Sequence, residues 1–505
     1  MIKKYNLLLL IVACLMIECR PSSELPAYDY GKPGRKKLPK MTLLNHNKVM
    51  KDILGDPKIE IKTIGILVYD GVNTIESVGP MAVFSELMSV KIDYISPVKG
   101  QVNTTHLAIE STKSLSDVEE LDLLLVPGGD SAAMHRLLND PAMIEWIRNT
   151  DSKTKLTASV GNGTFLLGKA GVLANRNIAL PWYEAERNAQ LMNANYRADR
   201  YLNDRKYYTA VEGTAAIDLA LYLIGETAGI PNLQGAMLDL EYDPQPPTKA
   251  GKPLLTSLSI VEKFRHREYT IDGYRLVHNQ HISLKPKLTN IGILVYPDFF
   301  TLDAIGPLVV LSQLPGAKIK LLSTDGLRLK SGRTHLFATE IYSRDKEGID
   351  ILLVPGGSTG TWALTQDKKI LDWLVKTDSS TTYTGSVCTG SWVLGAAGLL
   401  KGRQASTNWY RAGQMMDRYG ATFSNGRYTI DGKYWTSAGV SAGIDMSFAL
   451  IEDLTNSAGL EEAMLNLAYH PEPPIHGGSP EKTDDLVLDM MQQMYDYVMG
   501  PLIKP

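Results

Sequence analysis

The sequence predicts two tandem α/β domains, each built on a mostly parallel sheet that is sandwiched by helices. Two observations predict this class. The first is a long internal repeat: residues 64–80 (IGILVYDGVNTIESVGP) return as 291–307 (IGILVYPDFFTLDAIGP), LLVPGG occurs at 124–129 and 352–357, and 241–253 matches 468–480. The second is that strand-like and helix-like patterns alternate within each copy, which is typical of parallel sheets. A repeat of this length is a whole domain rather than one unit of a solenoid.

Length and composition agree with this class. A chain of 505 residues is too long for one ordinary core. Its net charge of -3 gives no basic excess, so we expect no nucleic-acid partner. The one basic cluster, GKPGRKKLPK at 31–40, lies in a Pro/Gly-rich stretch and is expected to be a solvated tether.

The first 20 residues resemble an export signal. Two early lysines precede an apolar run, Leu7–Ile17, that is shorter than the roughly 20 residues needed to span a bilayer. Cys14 closes LIVAC, which resembles a bacterial lipoprotein box, whereas Cys19 follows Glu18 and fits that pattern less well. Both cysteines are lipidation candidates. We expect an exported, membrane-anchored lipoprotein, periplasmic or at the cell surface; a plain cleaved signal and a cytoplasmic protein are the alternatives.

The first domain is assigned to 61–253, after a linker at 21–60. IGILVY is short, apolar and β-branched, as expected of a strand buried on both faces. The helix that follows it in each copy is predicted to begin at its proline, Pro80 or Pro307, because proline is favoured in the first helical turn.

The second domain is assigned to 288–480, after a linker at 254–287. IDILLVPGG contains a second buried strand, and the strand TTYTGSV leads directly into the helix TGSWVLGAAGLL. Ligands of parallel sheets bind beyond the carboxyl ends of the strands, so the loops TLDAIGP, PGGSTG and SVCTGS are expected to converge. Residues 481–505 are predicted to form a helix that packs on its own domain, or alternatively binds a partner.

Cys388 lies in SVCTGS, and its counterpart in the first copy is Gly161. A sharp turn from strand to helix exposes a side chain and places it at a helix N-terminus, which favours a thiolate. Gly385 and Gly390 relieve crowding at this turn, as in a nucleophile elbow. The alternative is a buried cysteine that acts only as a small apolar residue.

Two other loops supply candidate partners for this thiol. Asp303 is either a helix cap or a partly desolvated carboxyl group that faces the thiol and exchanges protons with substrate. The backbone N–H groups of Thr389 and Gly357 are candidates for an anion-stabilising pair, with Gly356 beside them.

These motifs together resemble the DJ-1/PfpI superfamily, which has a flavodoxin-like, class I glutamine amidotransferase-like fold. SVCTGSWVLGAAGLLKGRQAST, TSAGVSAGID and LLVPGG carry the resemblance over 288–480, and eroded versions carry it more weakly over 61–253. The most similar branch contains isonitrile hydratases and the sensor domains of AraC-type regulators. It implies catalytic roles for Asp303, Cys388 and Thr389 and argues against peptidase action, because superfamily proteases carry histidine after the cysteine.

One position departs from that branch, which commonly has His-Trp where this chain has Asn408 and Trp409. This departure leaves the substrate open. The resemblance implies no cofactor, and no His/Cys/Asp cluster has the spacing of a metal site.

The first copy is expected to be catalytically silent. It keeps an acid, Glu76, and the glycines Gly128 and Gly129, but Gly161 removes the nucleophile and Pro181 stands opposite Asn408. We expect an intramolecular pseudo-dimer in which this copy forms a wall of the other's pocket. The alternative is that it binds a ligand of its own.

Three functions follow from these expectations. The first is a cysteine-dependent lyase that hydrates a small electrophile, as isonitrile hydratases do. The second is a membrane-tethered module that binds or senses a small molecule. The third is a stress-response protein that acts through oxidation of Cys388.

Overall fold

The computed structural model describes residues 28–42, 44–182, 185–249, 252–253, 288–344 and 348–503. The predicted signal segment with Cys14 and Cys19, and the predicted linker 254–287, lie outside these residues. Two α/β domains of the same architecture are present, each with a seven-stranded, mostly parallel sheet flanked by helices, as predicted. Within the described ranges, no helix is long and apolar enough to cross a membrane.

The central sheet of the first copy is parallel except at one edge. The strands are β1 (Thr63–Leu67), β2 (Lys91–Ser96), β3 (Gly100–Asn103), β4 (Ala108–Ser111), β5 (Lys113–Ser114), β6 (Leu123–Val126), β7 (Leu156–Val160), β8 (Asn177–Ile178), β9 (Asn195–Tyr196), β10 (Tyr201–Asp204), β11 (Tyr207–Ala210), β12 (Thr248–Lys249) and β13 (Lys252–Pro253). The helices are α1 (His46–Leu54), α2 (Thr74–Ser85), α3 (Ser131–Leu138), α4 (Pro141–Asp151), α5 (Thr164–Lys169), α6 (Ala185–Leu191), α7 (Ala215–Thr227) and α8 (Ile230–Asp239). The sheet order is β10-β11-β7-β6-β1-β2-β5, and only β10 runs antiparallel to its neighbour.

The second copy repeats this plan. Its strands are β14 (Asn290–Val295), β15 (Lys318–Ser323), β16 (Arg328–Ser331), β17 (Thr334–Phe337), β18 (Glu340–Ile341), β19 (Ile351–Val354), β20 (Tyr383–Val387), β21 (Gln404–Ala405), β22 (Thr422–Phe423), β23 (Tyr428–Asp431) and β24 (Tyr434–Ser437). Its helices are α9 (Thr301–Leu311), α10 (Thr359–Thr365), α11 (Lys368–Asp378), α12 (Gly390–Ala396), α13 (Ala412–Arg418), α14 (Val440–Leu454), α15 (Ser457–Asn466) and α16 (Asp485–Met499). The sheet order is β18-β15-β14-β19-β20-β24-β23.

The predicted buried strands are confirmed. All four residues of β19 are buried, and Ile293 of β14 pairs with Leu353 of β19 in parallel register. Helices cover both faces of such a sheet, so its central strands are apolar throughout rather than alternating. The carboxyl ends of β14, β19 and β20 therefore lie side by side, which brings their loops to one edge.

The predicted starts of the helices after the first strands are wrong. Helix α2 begins at Thr74 and α9 at Thr301, so Pro80 and Pro307 lie inside the helices. A proline there removes one intrahelical hydrogen bond, but burial of nearly the whole helix surface offsets that loss. In α2 the start is marked instead by Asn73, whose side chain accepts a hydrogen bond from Ile75 N at 3.2 Å.

The two copies share a second sheet. Strands β3 and β4 of the first copy join β16 and β17 of the second in the order β16-β17-β4-β3. The pairing between copies is antiparallel, with Leu336 opposite Ile109. Helices α2 and α9 also contact each other. The chain therefore forms the predicted intramolecular pseudo-dimer.

The segment predicted as a solvated tether packs against the C-terminal helix. Arg35 is buried and lies 3.5 Å from Asp489 of α16, which also accepts a hydrogen bond from Leu38 N at 3.0 Å. A buried arginine is retained only where its charge is paired, and α16 supplies that partner. The predicted linker also contains helix α1, which contacts α8 and α16.

Helix α16 is a bridge between the copies rather than a helix packed on its own domain. It contacts α8 of the first copy, where Tyr495 Oη donates a hydrogen bond to Asp239 Oδ1 at 2.5 Å. On its other side, Asp496 lies 3.0 Å from the guanidinium group of Arg411 in the second copy.

Candidate active site

Cys388 occupies the turn between β20 and α12. Its φ of 58° is in the left-handed region, and Gly161 has nearly the same φ of 59° in the first copy. A residue with a side chain costs roughly 1 kcal/mol or more in this conformation, so the turn is held by its surroundings. Cys388 N donates to Ser437 O at 3.1 Å, which ties the turn to β24.

Glycines allow the neighbouring loop to approach this turn. A Cβ on Gly356 would lie 2.7 Å from Thr389 N and 2.8 Å from the Cβ of Cys388. A Cβ on Gly390 would lie 2.0 Å from Val354 O. Both distances are too short for a carbon atom, so these positions require glycine.

Asp303 lies in the first turn of α9, and its carboxyl group is buried beside Cys388. Its Oδ2 accepts a hydrogen bond from Gly356 N at 3.1 Å. Burial raises the pKa of Asp303 to about 7, although the Gly356 N–H and the Cys388 thiol act in the opposite direction. Near neutral pH the group is therefore populated in both protonation states, as a proton-transfer group requires. It does not cap the helix, which begins two residues earlier.

The Cys388 thiol is not the expected thiolate. Burial raises the pKa of Cys388 well above its usual range, and the neighbouring carboxyl groups of Asp303 and Glu241 raise it further. The Thr389 N–H at the start of α12 lowers it, but that effect is outweighed. Asp239 of the first copy has a smaller effect in the same direction, and a short helix cannot offset desolvation and three acids. The thiol consequently needs a base to accept its proton, and Asp303 is adjacent.

The expected anion-stabilising pair is only half available. Gly357 N donates to Thr389 Oγ1 at 3.0 Å, and the same hydroxyl group donates to Gly357 O at 2.6 Å. The Gly357 N–H is therefore occupied, and the Thr389 hydroxyl group links the loop after β20 to the loop after β19. The Thr389 N–H, which interacts with the thiol, is the remaining donor of the predicted pair.

Asn408 and Trp409 meet a residue of the first copy. Asn408 Nδ2 and Trp409 N donate to the same oxygen, Glu241 Oε1, at 2.6 and 2.9 Å. The Trp409 ring lies 5.3 Å from the rings of both Tyr30 and Tyr495. Sequence reasoning missed Glu241, Tyr30 and Tyr495. The one available signal was that the matching segments 241–253 and 468–480 begin with different residues, Glu241 and Ala468.

In the first copy a carboxyl group occupies the place of the thiol. Glu76 accepts hydrogen bonds from Gly128 N and Gly213 N, both at 2.8 Å. A Cβ on Gly161 would lie 2.9 Å from each carboxyl oxygen of Glu76. Asn162 bonds both backbone groups of Gly129, as Thr389 does with Gly357. The first copy therefore retains the loop architecture without the cysteine.

Two further acids of the first copy are desolvated. Burial raises the pKa of Glu76 to about 7 and that of Glu212, next to Glu76, to about 8.

Among the residues that the structure describes, no group of three or more His, Cys, Asp or Glu side chains is arranged to hold a metal ion.

These raised values predict that stability falls as the pH rises. A carboxyl group whose folded pKa exceeds its unfolded pKa holds its proton longer in the folded state, so stability is lost between the two values. For Glu76 this window runs from 4.5 to about 7. We expect Glu76→Gln to reduce the loss of unfolding free energy between pH 5 and pH 8 by about 2 to 3 kcal/mol. Denaturant titrations at both pH values measure this, with exposed Glu60→Gln as control. Equal losses in Glu76→Gln and the parent would contradict it.

The fold and this site define a class: α/β proteins with a functional residue on the turn between a strand and a helix, here in a duplicated form with a cysteine on that turn in one copy. A model of the DJ-1/PfpI family matches residues 62–226 and 289–453, which together exceed half of the chain. The protein therefore belongs to the DJ-1/PfpI family, as a tandem duplication.

Individual relatives include an enzyme and regulators. Isonitrile hydratase from Pseudomonas putida is 35% identical over 207 residues, which are 39% of this chain and 86% of that protein. The HTH-type transcriptional regulator GbdR from Pseudomonas aeruginosa is 28% identical over 169 residues, 32% of this chain and 46% of the regulator. A crystal structure of a THiJ/PfpI family protein from Pseudomonas syringae matches with a TM-score of 0.40 and 30% identity, covering 42% of this chain and 91% of that one.

Proposed function

We propose that the second copy is a cysteine-dependent enzyme that hydrates a small isonitrile-like electrophile. The observation that carries this proposal is the Asp303 carboxyl group beside the elbow thiol, with a pKa of about 7 that suits it to transfer protons. The similarity to an isonitrile hydratase over 86% of that enzyme's length supports the substrate class.

The reaction uses two residues and one water molecule. Asp303 accepts the thiol proton as the Cys388 sulfur bonds to the terminal carbon of the isonitrile, and it returns that proton to the same carbon, giving a thioimidate. Asp303 then takes a proton from water and passes it to the nitrogen as the water oxygen bonds to this carbon. When the carbon–sulfur bond breaks, the new hydroxyl group gives up its proton, Asp303 passes it to the sulfur, and an N-substituted formamide leaves. In sum, one isonitrile and one water give one formamide.

The raised pKa of the thiol also explains why a carboxylate that can act as a base is needed beside it. A thiol whose pKa is raised has little thiolate at neutral pH, so nucleophilic attack must be coupled to proton removal. The Thr389 N–H is placed to stabilise negative charge on the sulfur as that proton leaves.

Incubating the full chain with a small alkyl isonitrile tests this proposal. We expect formamide to accumulate catalytically, followed by proton NMR, and to acquire one oxygen from ¹⁸O-labelled water. Absence of formamide over many hours, at protein concentrations that would reveal a single turnover, would reject hydratase activity.

A small-molecule sensor is the second candidate, favoured by the similarity to a transcriptional regulator and by the raised pKa of the Cys388 thiol. It predicts saturable ligand binding that survives loss of Cys388. Oxidation sensing is disfavoured, because the thiols that peroxides oxidise readily have low pKa values.

A further inference from the structure

Glu241, two residues past the end of α8 in the first copy, reaches into the second copy. Glu241 is buried and has a φ of 43°, a conformation that residues with side chains seldom adopt. The backbone on both sides is held by the start of α14: Leu240 O accepts a hydrogen bond from Val440 N at 3.1 Å, and Glu241 O accepts one from Ser441 Oγ at 2.6 Å. Two anchors of this kind fix the direction of the side chain.

That side chain ends among the residues of the thiol site. Its Oε1 accepts hydrogen bonds from Asn408 Nδ2 and Trp409 N. Asn408 Oδ1 in turn accepts a hydrogen bond from Tyr410 N at 3.0 Å, so both the nitrogen and the oxygen of the Asn408 amide are held. Glu241 also interacts electrostatically with Asp303 and with Cys388. The carboxyl group therefore both orients the loop beside the thiol and acts on the reacting pair.

The reciprocal position in the silent copy lacks both partners. The loop of the second copy that enters the first is held by one residue, Thr214, the counterpart of Ser441. Thr214 N donates to Leu467 O at 3.0 Å, and Thr214 Oγ1 donates to Ala468 O at 3.1 Å. Ala468 has a similar φ of 45° but no carboxyl group. The residue opposite Asn408 is Pro181, which has no side-chain donor. The acid and its amide partner are thus present only where the thiol is present.

We propose that Glu241 is a positioning residue of the Cys388 site, supplied by the catalytically silent copy. It fixes Asn408 and the backbone of Trp409 beside the thiol, and it sets the charge that the thiol experiences. The inference rests on the proposed function only in taking Cys388 as the reactive group. It gives the first copy a chemical role in addition to that of a wall.

The pH dependence of thiol alkylation measures this role without any turnover. The rate of carbamidomethylation at Cys388, followed by peptide mass spectrometry with iodoacetamide as the probe, tracks the fraction of thiolate. Groups other than Glu241 that act on the thiol or on Glu241 are retained in all variants: Asp303, Asp239, Tyr296, Tyr495 and Arg427.

Burial raises the pKa of Glu241 to about 8, so the carboxyl group is charged mainly above that pH. Glu241→Gln keeps an oxygen acceptor for Asn408 and Trp409 but removes this charge. We expect its alkylation profile to shift to lower pH, with a rate at pH 9 about threefold or more above that of the parent. Glu212→Gln is the matched control, because Glu212 is also a desolvated acid of the first copy, with a pKa raised to about 8 by burial. Its profile should match the parent.

A second readout separates positioning from charge. With the isonitrile substrate, Glu241→Ala should raise KM about tenfold, whereas Glu241→Gln should stay within about twofold, because the acceptor oxygen is retained. Profiles of Glu241→Gln and the parent that coincide, whether both thiols react or neither does, would overturn the inference. A shifted profile without any formamide would reject the proposed function and leave the role of Glu241 standing.

Discussion

Replacing Cys388 by alanine is expected to abolish formamide production, with a fall in kcat of about 10⁴-fold or more. In the proposed reaction the sulfur forms the bond to the substrate carbon, so loss of this covalent nucleophile removes the reaction path rather than one of its stabilising contacts. Alanine carries the same Cβ at the same φ of 58°, so the backbone strain of the turn is unchanged and the fold should persist. Product formation by NMR and the melting temperature together measure the two effects.

Cys388→Ser sharpens this experiment. The hydroxyl group has nearly the shape of the thiol but is a far weaker acid, so Asp303 cannot remove its proton at neutral pH. We expect both variants to be inactive and to melt within a few degrees of the parent. Retention of the parent's rate in either variant would exclude covalent catalysis at this position.

The fold could be predicted because its signals are local. An apolar strand such as β14 and the direct passage from β20 into α12 are set by consecutive residues, and the repeat doubled each signal. The position of Cys388 on a sharp turn followed from the same local pattern. The predicted start of α2 at Pro80 is wrong because burial of the helix outweighs the preference of proline for a first turn.

The remaining features of the site depend on contacts that no local pattern records. The helix N-terminus predicted a thiolate at Cys388, yet burial and three acids raise its pKa. One of those acids, Glu241, belongs to the other copy and reaches the site only through the packing of the two domains. Arg35 was likewise predicted to be solvated, because its buried partner, Asp489 of α16, lies far from it in the sequence.

The two copies differ at both positions of the proposed reacting pair. The first copy has Glu76 where the second has Asp303, and Gly161 where the second has Cys388. These two differences are coupled, because the longer acid extends into the volume that a side chain at 161 would occupy. An aspartate such as Asp303 leaves room for a thiol on the turn, whereas the carboxyl group of a glutamate such as Glu76 fills that space.

This coupling predicts that a single methylene group inactivates the second copy. Asp303→Glu keeps the charge, but its carboxyl oxygens should approach the Cβ of Cys388 to about the 2.9 Å found between Glu76 and a Cβ at 161. In the silent copy Glu76 gains a second donor, Gly213 N, whereas the corresponding Val440 N is already bonded to Leu240 O. The longer acid is therefore crowded and short of one hydrogen bond.

We expect Asp303→Glu to lower kcat by 10²-fold or more, because the longer acid no longer meets the thiol in a geometry that transfers a proton. General acid–base catalysis typically contributes about 10²–10⁴-fold to the rate of an enzyme. Overpacking should also cost about 1–3 kcal/mol of unfolding free energy. The matched control is Glu76→Asp, the reverse change in the copy without a thiol, which should leave kcat unchanged. A rate for Asp303→Glu above half that of the parent would show that the second copy accommodates the longer acid, and that the absence of the first copy's thiol is unrelated to Glu76.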